Sequence, residues 1–226
     1  MSDRVAIVVG AGGEVGRATA QALAAAGYTV VGVDRNEQGL KQLPDGIRRQ
    51  AGDATDPAAA KSVIGQIAAQ VGPPEVLVNT IGTFRLGEAV SATPEDLKLL
   101  MDVNLGTALW LSQAVAPHMR QLGKGSIVHV SARPGTDPTA GMAAYGLSKA
   151  ALSHLVRILD LELRPHGIRV NGVAPQLINT TLNRSLFPPE QLARAVEPEA
   201  VANVIAFLAG DLAAPVSGAI VPAYGA

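Results

Sequence analysis

Short runs of consecutive apolar residues alternate along the chain with longer stretches in which Ala and Leu recur at helical spacing. The runs lie at 5–9, 29–33, 47–51, 76–78, 126–130, 169–173 and 219–221. Continuous apolar strands are what a parallel sheet needs when both of its faces are covered. Amphipathic stretches between the runs predict helices near 15–26, 57–70, 94–121, 144–164 and 198–209. Strand–helix alternation repeated this often implies right-handed crossovers. The predicted fold is α/β: a doubly wound parallel sheet of about seven strands, helices on both faces. No linker, repeat or low-complexity tract divides residues 1–226, so a single domain is expected.

Two helix starts carry a mechanism. Thr93-Pro94-Glu95-Asp96 offers a hydroxyl cap, a proline at the first helical position, and acids at the positive end of the dipole. Asp56-Pro57 repeats the device. Residues 176–197 differ, being polar, without a clear period and interrupted by Phe187-Pro188-Pro189. A connection this long is more often functional than incidental, and a short substrate lid is expected there.

Composition narrows the chemistry. The 226 residues carry 18 Lys+Arg against 19 Asp+Glu, a net charge of −1 that gives no electrostatic footprint for nucleic acid. With 0 cysteines, disulfides, thiolate metal sites and Cys nucleophiles are excluded. Hydrophobic residues at 48% and charged ones at 16% describe an ordered chain. No uncharged stretch reaches the ~18–20 apolar residues of a membrane span. The N-terminus, Met1-Ser2-Asp3-Arg4 and then five apolar residues, reads as a buried strand rather than a secretory signal, so a cytoplasmic location is expected.

The first apolar run leads into Gly10-Ala11-Gly12-Gly13-Glu14-Val15-Gly16 and then a helix. Glycines at 10, 13 and 16 permit a tight turn and let a pyrophosphate approach the unpaired N–H groups of the helix start, although such turns also serve only to turn. Asp34 closes the second strand, 18 positions after Gly16. A carboxylate there accepts the adenosine ribose hydroxyls and repels a 2′-phosphate; a solvated acid closing a strand is the plainer alternative. Arg35 could stack on adenine or, as the weaker reading, bind a 2′-phosphate. Asp53, after the third strand, is an acceptor for the adenine amino group or a turn residue.

Tyr145 and Lys149 stand four apart at the start of a helix, on one face. A phenol titrates near ~10, and a nearby cation lowers that value and makes tyrosine a usable acid/base at neutral pH. Ser131 ends the fifth strand, 14 residues before Tyr145; Asn79 and Gly82 follow the fourth, and Asn104 lies in the next helix. The carboxyl ends of strands are where an open α/β sheet binds ligands.

On these residues, together with Asn171-Gly172-Val173-Ala174-Pro175 and Thr180, the chain resembles the short-chain dehydrogenase/reductase family. The resemblance runs from Arg4 to Pro222. It implies a Rossmann fold, a nicotinamide dinucleotide, and hydride exchange with a ketone or secondary alcohol. Tyr145 would then be the acid/base and Ser131 would orient the carbonyl. Lys149 would hold the nicotinamide ribose and lower the Tyr145 pKa, and Asn104 would anchor a water relay to Lys149. Cofactor contacts are expected from Gly10, Gly13, Glu14, Val15, Gly16, Asp34, Arg35, Asp53, Ala54, Asn79, Gly82, Tyr145, Lys149, Pro175, Ile178 and Thr180. NAD is expected ahead of NADP because of Asp34, and a homodimer or homotetramer follows from the resemblance. Three positions depart from the family pattern: Thr80-Ile81 replaces Asn-Ala, Gln176 replaces the glycine after Pro175, and Glu14 takes the central-glycine place with Gly13 standing in.

Other readings are weaker. The four histidines (His118, His129, His154, His166) lack metal-ligand spacing, and no Gly-x-Ser-x-Gly elbow is present. Gly123-Lys124-Gly125 lacks the P-loop spacing. Trp110 suits a helix-packing face. Arg85 and Arg133 each follow a strand end near where substrate should lie; one of them favouring a polar or anionic substrate is one reading, and a surface arginine is the other. An NADPH-dependent biosynthetic ketoreductase is the alternative within enzymes. A non-catalytic dinucleotide-binding regulatory protein is the alternative outside them, since fold does not imply function.

Overall fold

The computed structural model describes residues 4–225, so Met1–3 of the N-terminal reading and residue 226 lie outside the described residues. Seven parallel strands form one sheet in the order β3-β2-β1-β4-β5-β6-β7. They are β1 Val5–Val9, β2 Thr29–Asp34, β3 Arg48–Ala51, β4 Pro74–Asn79, β5 Gly125–Val130, β6 Ile168–Pro175 and β7 Ile220–Ala223. The helices are α1 Glu14–Ala25, α2 Glu37–Leu40, α3 Pro57–Gln70, α4 Pro94–Leu100, α5 Thr107–Leu122, α6 Ala143–Leu163, α7 Thr181–Leu186, α8 Pro189–Leu192 and α9 Pro198–Ala209. This is the doubly wound Rossmann arrangement.

Alternation along the strands splits the core in two. Ile7, Leu77, Ile127 and Val170 pack toward α3, α5 and α6. Ala6, Val8, Val76, Val78 and Val128 pack toward α1 and α9 on the other face. Each fully buried Val, Leu or Ile contributes about 1.5–3 kcal/mol relative to exposure. The edge strand β3, Arg-Arg-Gln-Ala, is largely exposed, and its charges discourage pairing with another chain.

The predicted caps form. The Asp56 carboxylate accepts from Ala59 N–H at 2.7 Å, and Thr93 Oγ1 accepts from Asp96 N–H at 3.1 Å. Each is worth typically ~1 kcal/mol. The continuous helix expected over 94–121 is interrupted: between α4 and α5 the backbone widens into a π-helical turn, Met101–Gly106. Within that turn the side chain of Asn104 is fully buried and pairs with both backbone groups of Thr83, which lies outside the helix. A π turn of this kind re-aims one side chain at the cost of regular helix bonding.

Strand order reverses between β1 and β4, and ligands bind at such a switch point. Register brings the relevant ends level, with Val9 opposite both Val33 and Asn79. Gly10, Asp34 and Thr80 therefore leave the sheet side by side.

Candidate active site

The glycines of the β1–α1 turn have different tasks. Gly10 has φ 86°, and a Cβ there would strike Thr80 Oγ1. A Cβ on Gly16 would overlap Gly10 O, so this residue allows the helix to pack on the turn. Gly13 is different: its Cβ would meet nothing closer than Gly10 O at 3.4 Å. The protein itself does not require glycine there; a ligand brought close to the turn would. The first helical donor is Arg17 N–H, to Gly13 O at 2.9 Å, which leaves Glu14, Val15 and Gly16 N–H without intrahelical acceptors. The donor set fits a pyrophosphate.

A groove of ≈ 460 Å³ runs from this turn along the strand ends, lined by Gly10, Gly13, Asp34, Arg35, Asp53, Ala54 and Gly82 among others. Asp34 sits at its rim. Its two oxygens accept Gly12 N–H at 2.9 Å and Asn36 N–H at 2.8 Å, which fixes the carboxylate at the end of β2. Asp53 accepts from the amide and hydroxyl of Thr55, at 2.9 and 2.7 Å, and these bonds hold its pKa below the ordinary carboxylate value. Arg35 lies 3.8 Å from Asp53 and is well exposed. Ala54 is buried beneath the groove.

Two expected cofactor residues have side chains engaged elsewhere. Asn79 is 2% exposed; it donates to Thr107 Oγ1 at 3.2 Å and accepts Ile81 N–H at 3.0 Å. It shapes the turn, and Thr80 and Ile81 line the groove instead. The Glu14 carboxylate reaches away from the turn to the lid. It accepts Thr181 N–H at 2.8 Å and Thr181 Oγ1–H at 3.1 Å, with Arg184 at 3.6 Å. A charge that would oppose a pyrophosphate is thereby drawn aside, and only the backbone N–H of Glu14 remains for an anion.

The catalytic end is built on α6, β5 and the π turn. Lys149 is 3% exposed and donates from Nζ to Val130 O at 2.8 Å. A Cβ on Gly82 would lie 3.2 Å from Lys149 Nζ and 3.3 Å from Asn104 Oδ1, so glycine is what lets these two groups converge. Asn104 Oδ1 accepts Thr83 N–H, and its Nδ2 donates to Thr83 O and Ser148 Oγ, each at 2.9 Å. Tyr145 packs edge-on against Phe84, with ring centroids 6.1 Å apart. Burial pushes the Tyr145 phenol up to about 12 and the Lys149 ammonium down to about 8. Desolvation is the cause of both shifts, and the lowering of Tyr145 by Lys149 that the pairing implied does not accompany it.

Ser131 is not where its expected role requires. Its hydroxyl is buried between β5 and α6, 3.2 Å from Lys149 O and 2.8 Å from Ser153 Oγ. Strand parity is the reason: His129 and Ser131 both point to the face covered by α5 and α6, where His129 meets Ser112 of α5 at 3.0 Å.

The lid over 176–197 is pinched at its base by a bridge between Ile178 and Val196, and Pro175 is buried where it begins. It carries α7 and α8. Thr180 caps α7, accepting Asn183 N–H at 3.2 Å, which leaves its own hydroxyl proton free to donate. Phe187 stacks on Phe84 at 6.1 Å, so an aromatic column runs from the lid to Tyr145. Neither Phe84 nor Phe187 is distinguished by spacing; a Phe inside an otherwise polar segment was the one available signal. Both strand-end arginines have acidic neighbours, Arg85 with Asp96 at 3.7 Å and Arg133 with Asp137 at 3.5 Å.

Comparison with known proteins agrees with this geometry. The family model described as short chain dehydrogenase matches residues 4–191. Galactitol 2-dehydrogenase from Rhizobium johnstonii is 35% identical over 235 residues, covering 96% of this chain and 91% of its own. The 3-oxoacyl-[acyl-carrier-protein] reductase FabG of Escherichia coli is 33% identical, covering 95% and 93%. Carbonyl reductase [NADPH] 2 of Sus scrofa is 35% identical, covering 94% and 91%. A short-chain type dehydrogenase/reductase structure from Mycobacterium ulcerans superposes with TM-score 0.91 at 27% identity, over 99% of this chain and 89% of that one.

Proposed function

The chain belongs to the short-chain dehydrogenase/reductase family and is an oxidoreductase acting on ketones or secondary alcohols, and on that premise we propose that Tyr145 is its acid/base, working beside Lys149. The convergence of Lys149 Nζ and Asn104 Oδ1 at Gly82, one helical turn from Tyr145, is the observation that carries this reading.

A bound nicotinamide dinucleotide supplies or accepts the hydride. In reduction, Tyr145 gives its phenolic proton to the carbonyl oxygen, and in oxidation it takes the proton back. The Lys149 ammonium stabilises the phenolate that forms and holds the nicotinamide ribose. Asn104, fixed by three hydrogen bonds, positions a water between itself and Lys149 through which the phenol is reprotonated. General acid/base transfer of this type is worth ~10²–10⁴ in rate.

The cofactor is NAD(H). Asp34 supports this, since a carboxylate fixed at the end of β2 by two backbone N–H groups repels a 2′-phosphate brought to that rim. NADPH is the second reading, favoured by exposed Arg35 at the same rim and by the carbonyl reductase relative named for that cofactor. The site residues already described for the groove, with Val15, Gly16, Pro175, Ile178 and Thr180, form the dinucleotide contact set. The substrate is a small carbonyl or alcohol. Among the described residues no helix is long and apolar enough to cross a membrane. A cytoplasmic homodimer or homotetramer completes the reading, with Leu147 and Leu161 of α6 as exposed apolar contacts. Consumption of NADH and NADPH with a panel of ketones tests it; no turnover with any carbonyl favours the non-catalytic alternative.

A further inference from the structure

Protonation by Tyr145 accounts for one contact to the substrate oxygen and leaves the other without a donor, because the Ser131 hydroxyl is buried against α6. The next residue, Ala132, is extended at φ −163° and ψ 158°, so its side chain points opposite to that of Ser131 and offers no polar atom. On the adjacent strand the chain leaves β6 at Pro175, and the exposed side chain of Gln176 follows. Arg133 Nη1 donates to Gln176 Oε1 at 3.0 Å. Arg133 is itself held by Asp137 and lies over the Tyr224 ring, 5.0 Å from its centroid. An amide whose oxygen is pinned presents its nitrogen on the opposite side, and among the described residues Gln176 Nε2 has no partner.

We infer that Gln176 orients the substrate carbonyl in this enzyme, its Nε2–H donating to the oxygen that Tyr145 protonates, with Arg133 as the positioning residue. The inference rests on the assignment of Tyr145 as acid/base. As hydride from the reduced cofactor reaches the carbonyl carbon, the C=O π pair moves onto oxygen. The amide stabilises that charge without giving up a proton, and the neutralising proton comes from the phenol. The products are the alcohol, the oxidised cofactor and a Tyr145 phenolate beside Lys149.

Gln176→Glu is the discriminating variant. It keeps the size of the side chain and its oxygen partner for Arg133, but at neutral pH it has no N–H to donate. Gln176→Glu and Gln176→Ala are both expected to lose at least about tenfold in kcat/KM for ketone reduction, with dinucleotide Kd unchanged. Wild-type kcat/KM in Gln176→Glu, or a loss explained by weaker dinucleotide binding, overturns the inference. Tyr145→Phe separates the two claims. If it is inactive while Gln176→Glu is unimpaired, only the role of Gln176 falls; if it keeps turnover, the underlying reading falls first.

Discussion

The hydroxyl of Ser131 lies 2.8 Å from that of Ser153, and both bond to the carbonyl oxygen of Lys149, at 3.2 and 2.9 Å. Strand β5 and helix α6 are thus tied together beneath the residue that carries the buried ammonium. The contact secures the helix on the strand.

Ser131→Ala should therefore cost stability more than turnover. Ser153 still satisfies Lys149 O, so the expected loss is about 1 kcal/mol in urea unfolding, with kcat reduced less than about threefold. A fall of ~10² in kcat with an unchanged unfolding midpoint would return Ser131 to the reacting centre.

Lys149 is retained at a cost. Its pKa lies near 8 in the fold, against 10.5 unperturbed, so between those values the unfolded chain binds more protons. Stability then rises with pH across that window, and below it the buried ammonium costs about 3 kcal/mol. Lys149→Met is expected to abolish turnover and yet raise the urea midpoint at pH 7, the exchange of stability for function seen at active sites. A lower midpoint at pH 7 would show that the bond to Val130 O outweighs the burial.

His129 predicts acid sensitivity. Fully buried, it has a pKa lowered to about 3 by desolvation first and by Lys149 second. The unfolded chain gains a proton near 6.5 that the folded one refuses, so stability is complete above pH 6.5 and declines as pH falls toward 3. The slope is up to roughly 1.4 kcal/mol per pH unit. His129→Gln should flatten this part of the stability–pH curve; an unchanged slope would place the acid sensitivity elsewhere.

The proposed preference for NAD(H) rests on Asp34. Like charges ~4 Å apart repel by ~1 kcal/mol in water and ~4 kcal/mol near a protein surface. Catalytic efficiency with NADH should exceed that with NADPH by at least about tenfold, and Asp34→Ser should narrow the gap. Equal efficiencies in the wild type would assign the rim to Arg35.

Much of this architecture was legible in the order of residues. Pro57–Gln70 and Pro198–Ala209 form with the boundaries that local patterning and proline positions indicate, and the turn after β1 lines a groove with Gly10 and Gly13. What was hidden depends on partners distant in sequence. The π turn carries an Asn104 that bonds to Thr83, and the Glu14 carboxylate finds Thr181 on the lid. The direction of Ser131 depends on strand parity, which resemblance alone does not supply. The Tyr145 and Lys149 pKa values move with burial, a property of the packed layer rather than of their spacing.

The most direct measurement is paired dinucleotide titration and steady-state ketone reduction on Tyr145→Phe. The phenyl ring keeps the shape and the packing on Phe84 while removing the only proton that Tyr145 can transfer. Dinucleotide affinity should be unchanged and kcat should fall by ~10²–10⁴. Turnover near the wild-type rate would mean that the proton comes from another group and that the Tyr145–Lys149 pair is structural.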